Sequence, residues 1–166
     1  GKMMFADIFF DKFSQLNKLV VKNIFLNDLI VDQLTFIVQK KDEFLIDLMG
    51  QKINLSLYLK NSEIFKNLSK KIINFKIDSK TIVLDKKVFL SGVLNGSLKN
   101  QKLLGEFEGQ LKFFDLSINN SRLLIEKSNE KININGYGYL LGEKIEIQAI
   151  SEKGSLNEIK INSNNS

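Results

Sequence analysis

Glu106 and Glu108 are the residues whose types and spacing come closest to a catalytic pair in this sequence. Two residues apart on a strand, they share one face, and two carboxylates at suitable separation are the acid and base of most glycoside hydrolases. A solvated strand face explains the same pattern more simply. We therefore predict no catalytic residue here.

The composition removes most other catalytic chemistry. The 166 residues include no Cys and no His, so a thiolate nucleophile, a histidine base and a His/Cys metal site are all excluded. A serine nucleophile would lack its usual histidine partner, and no Asp-rich calcium loop is present. We expect a protein that is not an enzyme and that needs no metal and no cofactor.

Two glycine-containing segments invite a functional interpretation. Residues 92–97 faintly resemble a phosphate loop, but they lack the Gly-Lys-Ser/Thr ending and no helical pattern follows, so they predict a strand with glycine kinks. Residues 136–139 place two Tyr on one strand face and two Gly on the other. The glycine face would admit a neighbouring side chain, a backbone or a ligand, and plain sheet packing is the simpler explanation.

The charge is positive and carried almost entirely by lysine. Lys and Arg number 24 against 19 Asp and Glu, for a net charge of +5, and Arg122 is the only arginine. Because nucleic-acid binding favours arginine, we expect no nucleic-acid partner. A local excess between Lys60 and Lys80 suits an anionic surface such as lipid headgroups. A solvated helix face, or a compositional bias towards Lys, Asn and Ile, would give the same pattern.

The hydrophobic pattern predicts two helices. The first covers residues 3–16, with an apolar stripe at spacings of three and four that either packs in the core or lines a lipid groove. The second follows a cap at Asn61 or Ser62, carries lysines towards its end, and must lie on a sheet because it is too short to be stable alone. The stripes comprise Phe5, Ile8, Phe9, Phe13 and Leu16 in the first helix, and Ile64, Phe65, Leu68 and Ile72 in the second.

The remaining chain alternates with a period of two. We predict strands from Leu19 onward. One at residues 30–38 is largely apolar on both faces and should be covered on both sides. Others lie at residues 44–48, which Gly50 ends, and at 53–59, and a meander from residue 73 to 161 begins with separate strands at 73–77 and 80–84. The predicted class is α+β and strand-dominated: a long curved antiparallel meander with the two helices on the sheet. Residues 1–162 form one domain, and residues 163–166 form a disordered tail. The breaks are predicted at Asp85-Lys86-Lys87, Asn100-Gln101, Asn119-Asn120, Ser128-Asn129-Glu130, Gly142 and Lys153-Gly154.

Two segments resemble the LmeA-like bacterial phospholipid-binding family. One is the strand-rich stretch of residues 19–36, and the other is residues 53–68, an alternating strand that leads into an acidic-capped helix. The Arg and Thr usual at that family's helix start are absent. The meander also shows a weaker similarity to AsmA-like proteins and the lipopolysaccharide-transport group. These resemblances imply a curved sheet around apolar space, lipid or membrane-surface partners, and a membrane-associated or extracytoplasmic location. The first residues look like a tag remnant, which is compatible with a removed targeting segment.

The function expected from the sequence is non-enzymatic binding of a lipid or other apolar ligand in a groove formed by the sheet and helices. A structural or interaction module of an envelope assembly is the alternative, and an enzyme ranks third. Oligomeric state is left open. The groove is predicted to be lined by Phe5, Phe9, Phe13, Ile64, Phe65, Leu68 and Ile72, with Lys66, Lys70 and Lys71 facing the headgroups or membrane.

Overall fold

A single mixed sheet dominates the computed structural model, which describes residues 4–10, 15–26, 29–56, 63, 66–67, 70–152 and 155–163. Its eleven strands lie side by side in chain order. All neighbouring pairs are antiparallel except the fourth and fifth strands, which are parallel. The strands are β1 (Phe5–Phe10), β2 (Leu16–Leu26), β3 (Leu29–Lys40), β4 (Glu43–Asn54), β5 (Ile72–Asp85), β6 (Val88–Lys99), β7 (Lys102–Phe113), β8 (Leu116–Ser128), β9 (Lys131–Leu140), β10 (Glu143–Glu152) and β11 (Ser155–Ser163).

The predicted N-terminal helix is wrong, because its residues form the edge strand β1. Phe5 pairs with Lys22, and Ile8 pairs with Leu19, in an antiparallel ladder with β2. A short run of aromatic and β-branched residues fits a strand as well as a helix, and periodicity alone does not separate the two. Pairing with β2 satisfies the backbone of β1 along one side and decides the outcome.

The predicted α+β class is also wrong, since the described chain is almost entirely strand. Of the segment assigned to a second packed helix, the structure describes Glu63, Lys66 and Asn67 as helical, together with Ser56 just before it. Ile64, Phe65 and Leu68 lie outside the described residues. Ile72 begins β5 instead of ending a helix. Because β4 and β5 are parallel, a tight hairpin turn cannot join them.

One face of the sheet, the inner face, carries the hydrophobic core. Along β5 to β10, side chains alternate between buried and exposed, as expected for a sheet with one face in water. Ile82, Ile118 and Ile147 are almost inaccessible to solvent. A flat single layer cannot hide one of its faces this completely, so the sheet curls around its inner face. A single cluster joins inward residues of β3 to β10: Val31, Ile53, Ile77, Ile82, Leu84, Val88, Leu90, Leu94, Phe107, Leu111, Ile118, Leu123, Ile125, Ile134, Ile145, Ile147 and Ala149.

A row of small residues crosses the sheet beside a series of register shifts, and we call this row the crease. It consists of Gly50, Ser79, Gly92, Gly109 and Ser121, each paired in register with the next. Register shifts flank several of these positions, which marks β-bulges. The shifts change which alternate residues of a strand point inward. In β5 the odd-numbered residues point inward up to Ser79, and beyond it the even-numbered residues 82 and 84 point inward. β4 and β8 change phase at the crease in the same way, whereas β6 and β7 keep one phase throughout.

Candidate apolar binding site

The inner face opens towards β1. In one register row, Leu94 and Ile77 are buried, whereas Leu48, Leu34 and Val21 on the next three strands are half-buried. A second row lies on the same face, two residues nearer the β3–β4 turn. It contains five apolar side chains and ends at Ile8, which is 56% exposed. We call this second row the inner strip; it consists of Phe75, Ile46, Phe36, Leu19 and Ile8.

Aromatic and branched side chains surround the inner strip. Phe36 stacks on Phe44 with ring centroids 5.3 Å apart. Phe44 and Ile46 pack in turn against the buried pair Ile73 and Leu98. The wall therefore holds rigid apolar groups that remain partly in contact with solvent. Such a surface gains free energy when an apolar ligand displaces its water.

The predicted groove residues on β1 lie on the opposite side from the inner strip. Strand alternation places Phe5 and Phe9 on the outer face, in register with Lys22 and Lys18. Both phenylalanines are about half exposed, and the Lys18 ammonium nitrogen lies 5.5 Å from the Phe9 ring centroid. The structure therefore places Phe5 and Phe9 on one face of β1, beside lysines and not along the inner apolar wall.

The other predicted groove residues divide between two places. Ile72 is half-buried in register with Glu43, and alternation with the inward Ile73 puts it on the outer face. Phe13, Ile64, Phe65 and Leu68 lie outside the described residues. The inner strip was not predicted as a site from the sequence. Its Phe36 belongs to the one predicted strand whose two faces are both largely apolar. That absence of a polar face was the available signal.

One end of the sheet is rich in lysine. The turns β3–β4, β6–β7 and β8–β9 and the start of β5 all lie at this end, as the strand pairing requires. Exposed lysines there outnumber the carboxylates of Asp42, Glu43, Glu130 and Glu152. We define the basic end by Lys40, Lys41, Lys70, Lys71, Lys99, Lys102 and Lys131. It includes two of the three lysines predicted to face a headgroup, while Lys66 is exposed in the helical part of the β4–β5 connection.

Two contacts organise the basic end. The Lys71 ammonium donates a hydrogen bond to Asp42, and this bond together with the lysine's charge lowers the pKa of the Asp42 carboxyl. Lys127 points to the inner face, where it is only 3% exposed, and its Nζ donates to the Asn129 carbonyl at 2.6 Å. Burial lowers the pKa of Lys127, partly opposed by Glu130. Lysine charge thus extends from the exposed turns to the margin of the core.

Within the described ranges, no helix is long and apolar enough to cross a membrane, and no His, Cys, Asp or Glu side chains gather in a group that could hold a metal ion. Comparison with protein-family models, with curated proteins and with solved structures yields no match. The resemblance to LmeA-like proteins therefore stays an expectation, and any proposal for function depends on the geometry.

Proposed function

We propose that this protein binds a lipid or a similar apolar ligand without catalysing a reaction, at or near a membrane surface. The observation that carries the proposal is the rise in exposure of the inner face from β6 to β1. At the crease and on its side away from the basic end, the closed core reaches Val31 of β3 and Ile53 of β4. On the basic-end side of the crease, the same apolar face is half open from β4 to β1. An acyl chain would lie along the inner strip and continue the core.

The two parts of an anionic lipid match two neighbouring parts of the sheet. Each methylene group buried against the inner strip contributes about 0.8 kcal/mol. The lysines of the basic end would attract a phosphate or carboxylate headgroup. Phe75 and Ile46 come within a few residues of the strand starts at that end, so tail and headgroup would occupy adjoining surfaces.

Lipid capture tests the proposal directly. Purified protein is incubated with dioleoylphosphatidylglycerol vesicles, re-isolated, and measured by native mass spectrometry. Ile8→Asp, on the open end of the inner strip, should cut the lipid-bound fraction strongly because it places a carboxylate on the apolar wall. Phe9→Asp is the matched control on the same strand and the opposite face, and it should retain binding.

The outcomes separate the proposal from its alternatives. Ile8 is already more than half exposed, so its replacement should leave the protein folded, which circular dichroism verifies. Equal lipid recovery from wild type and Ile8→Asp would contradict binding along the inner strip. Absence of bound lipid in the wild type would contradict the proposed function as a whole.

A structural or interaction module is the second candidate, and the edge strand favours it. Every residue of β1 is exposed, including Phe10 at 62%, and only one side of its backbone is paired with the sheet among the described residues. Such an edge can accept a further strand from a partner. Binding of a partner at β1 that survives Ile8→Asp, with no lipid recovered, would support this candidate instead.

A further inference from the structure

A second candidate surface is an open depression between outward side chains on the outer face, across the middle of the sheet. It is an open trough of about 810 Å³ over β5 to β9, on the side away from the inner strip. Two register rows of outward side chains line it. One row contains Lys76, Asn95, Glu106, Leu124 and Asn135; the other contains Val93, Glu108, Arg122 and Tyr137.

The trough balances its charges. Its two cations, Lys76 and Arg122, are matched in number by Glu106 and Glu108, so neither sign dominates. The Arg122 Nη2 atom donates to the Glu108 Oε1 atom at 3.2 Å, and Glu108 and Tyr137 together raise the pKa of the arginine. A surface without net charge has no strong attraction for a polyanion such as nucleic acid or for a polycation. Its ligand should therefore be neutral.

Hydrogen-bonding groups of both kinds alternate along the trough. Asn95 and Asn135 each offer a donor and an acceptor, Glu106 offers acceptors, and Lys76 offers donors. Leu124 and Val93 add apolar patches between them. Hydroxyl groups donate and accept at once, so a ligand dense in hydroxyls and carrying small apolar CH faces can satisfy this mixture.

Tyr137 supplies a flat apolar surface at one end. Tyr137 lines the trough, and the Lys144 ammonium nitrogen lies over one face of its ring, 4.3 Å from the centroid, in a cation–π contact. A ligand can therefore stack only on the other face. Neighbouring strands are about 4.8 Å apart, so the row from β5 to β9 extends for about 19 Å. An extended oligosaccharide of a few residues has that length and flatness.

We propose that the outer trough is a binding site for a neutral glycan, with Tyr137 stacking against a sugar ring and Asn95, Glu106 and Asn135 bonding its hydroxyls. This site is distinct from the apolar one. It involves the other face of the sheet and a hydrophilic ligand, so either proposal can fail without the other.

Titration of ¹⁵N-labelled protein with maltohexaose, cellohexaose and tri-N-acetylchitotriose tests the site. At least one probe should shift amide signals clustered around residues 95, 106, 135 and 137. Tyr137→Ala and Asn135→Ala should each weaken that probe about tenfold, a loss of about 1.4 kcal/mol. Glu126→Gln, an outward residue of β8 that does not line the trough, is the control and should leave the affinity unchanged.

Three results would overturn the proposal. The first is no clustered shift with any of the three probes at millimolar concentration. The second is equal weakening by Glu126→Gln and Tyr137→Ala, which would place binding elsewhere on the outer face. The third is affinity that falls steeply with added salt: because the three probes carry no charge, the shifts would then report a salt-dependent change in the protein and not contact with the sugar.

Discussion

Gly92 and Gly109 face each other directly across β6 and β7 at the crease. A Cβ atom on either residue would lie 2.9 Å from the Cα atom of the other and closer still to the partner strand's backbone oxygen. Their φ angles, +145° and +154°, are values that side-chain-bearing residues rarely adopt. The two strands can approach and bend together here only because both positions lack a side chain.

Substitution at this pair should therefore destabilise the fold. We expect Gly92→Ala or Gly109→Ala to lower the free energy of unfolding by about 2–4 kcal/mol, since the backbone strain and the clash add. Gly142→Ala is the matched control: its φ is +87°, but a Cβ there would meet no atom within 4 Å. It should cost about 1–2 kcal/mol from strain alone. Urea denaturation measures all three, and equal losses would disprove the clash.

The curled sheet predicts large losses at its inner face. Ile118→Ala and Ile147→Ala should each cost about 2–5 kcal/mol, because both side chains are at most 1% exposed and would leave cavities. Leu141→Ala, at a position 97% exposed, should change the stability little. If the two isoleucine variants had the same midpoint of urea unfolding as the wild type, the inner face could not be the packed core.

Lys127 makes stability depend on pH in a defined direction. Burial lowers its pKa in the folded protein, so the unfolded chain binds more protons in the window between that lowered pKa and the ordinary lysine value of about 10.4. Stability from this group should rise with pH across that window, as the penalty for a buried charge disappears. In Lys127→Met this rise should vanish. The exposed Lys131→Met serves as control and should preserve it; a rise that persists in Lys127→Met would assign it to another group.

The basic end predicts a charge dependence of membrane binding. Lys41→Glu combined with Lys99→Glu should weaken binding to vesicles containing phosphatidylglycerol by about tenfold or more, at about 1 kcal/mol per lysine near the surface. Lys86→Glu combined with Lys87→Glu changes the charge equally at the opposite end of the sheet. Co-sedimentation compares them, and equal weakening by the two pairs would show that net charge alone matters.

Much of the meander could be predicted from the sequence, because polar turns separate alternating strands there. The predicted breaks at Lys86-Lys87, Asn100-Gln101 and Asn129-Glu130 coincide with the observed turns, and residues 92–97 lie within the strand β6, as predicted. The turn at Phe114-Asp115 was missed because neither its phenylalanine nor its flanks break the apolar run.

The errors inside the sheet share one cause. Gly50 was predicted to end a strand, residues 73–77 and 80–84 were predicted as separate strands, and Asn119-Asn120 was predicted as a turn. All three places lie at the crease or beside it, within β4, β5 and β8. A bulge changes which residues point inward, and in a single sequence this phase change resembles a strand end. Only pairing with both neighbouring strands distinguishes the two.

Prediction of the candidate sites also required the pairing between strands, because the pairing decides which residues share a face. Phe5 and Phe9 share a face at spacing four on a strand as they do on a helix, so their common face was predictable. Their separation was not, because four residues span about 13 Å on a strand and about 6 Å on a helix. Which face they share depended on the register with β2. The outer trough was even harder to predict from the sequence. The spacing of Glu106 and Glu108 put them on one face, but Arg122 and Tyr137 join them only through the pairing of three strands.

The parallel junction of β4 and β5 has a consequence for how this chain folds. Every other neighbouring pair is made by a short reversal, so those hairpins can form by local zippering with little loop-closure entropy. The β4–β5 pair alone joins segments separated by a long intervening stretch. Its closure should be the late, rate-limiting event, uniting a four-stranded and a seven-stranded half that have each assembled locally.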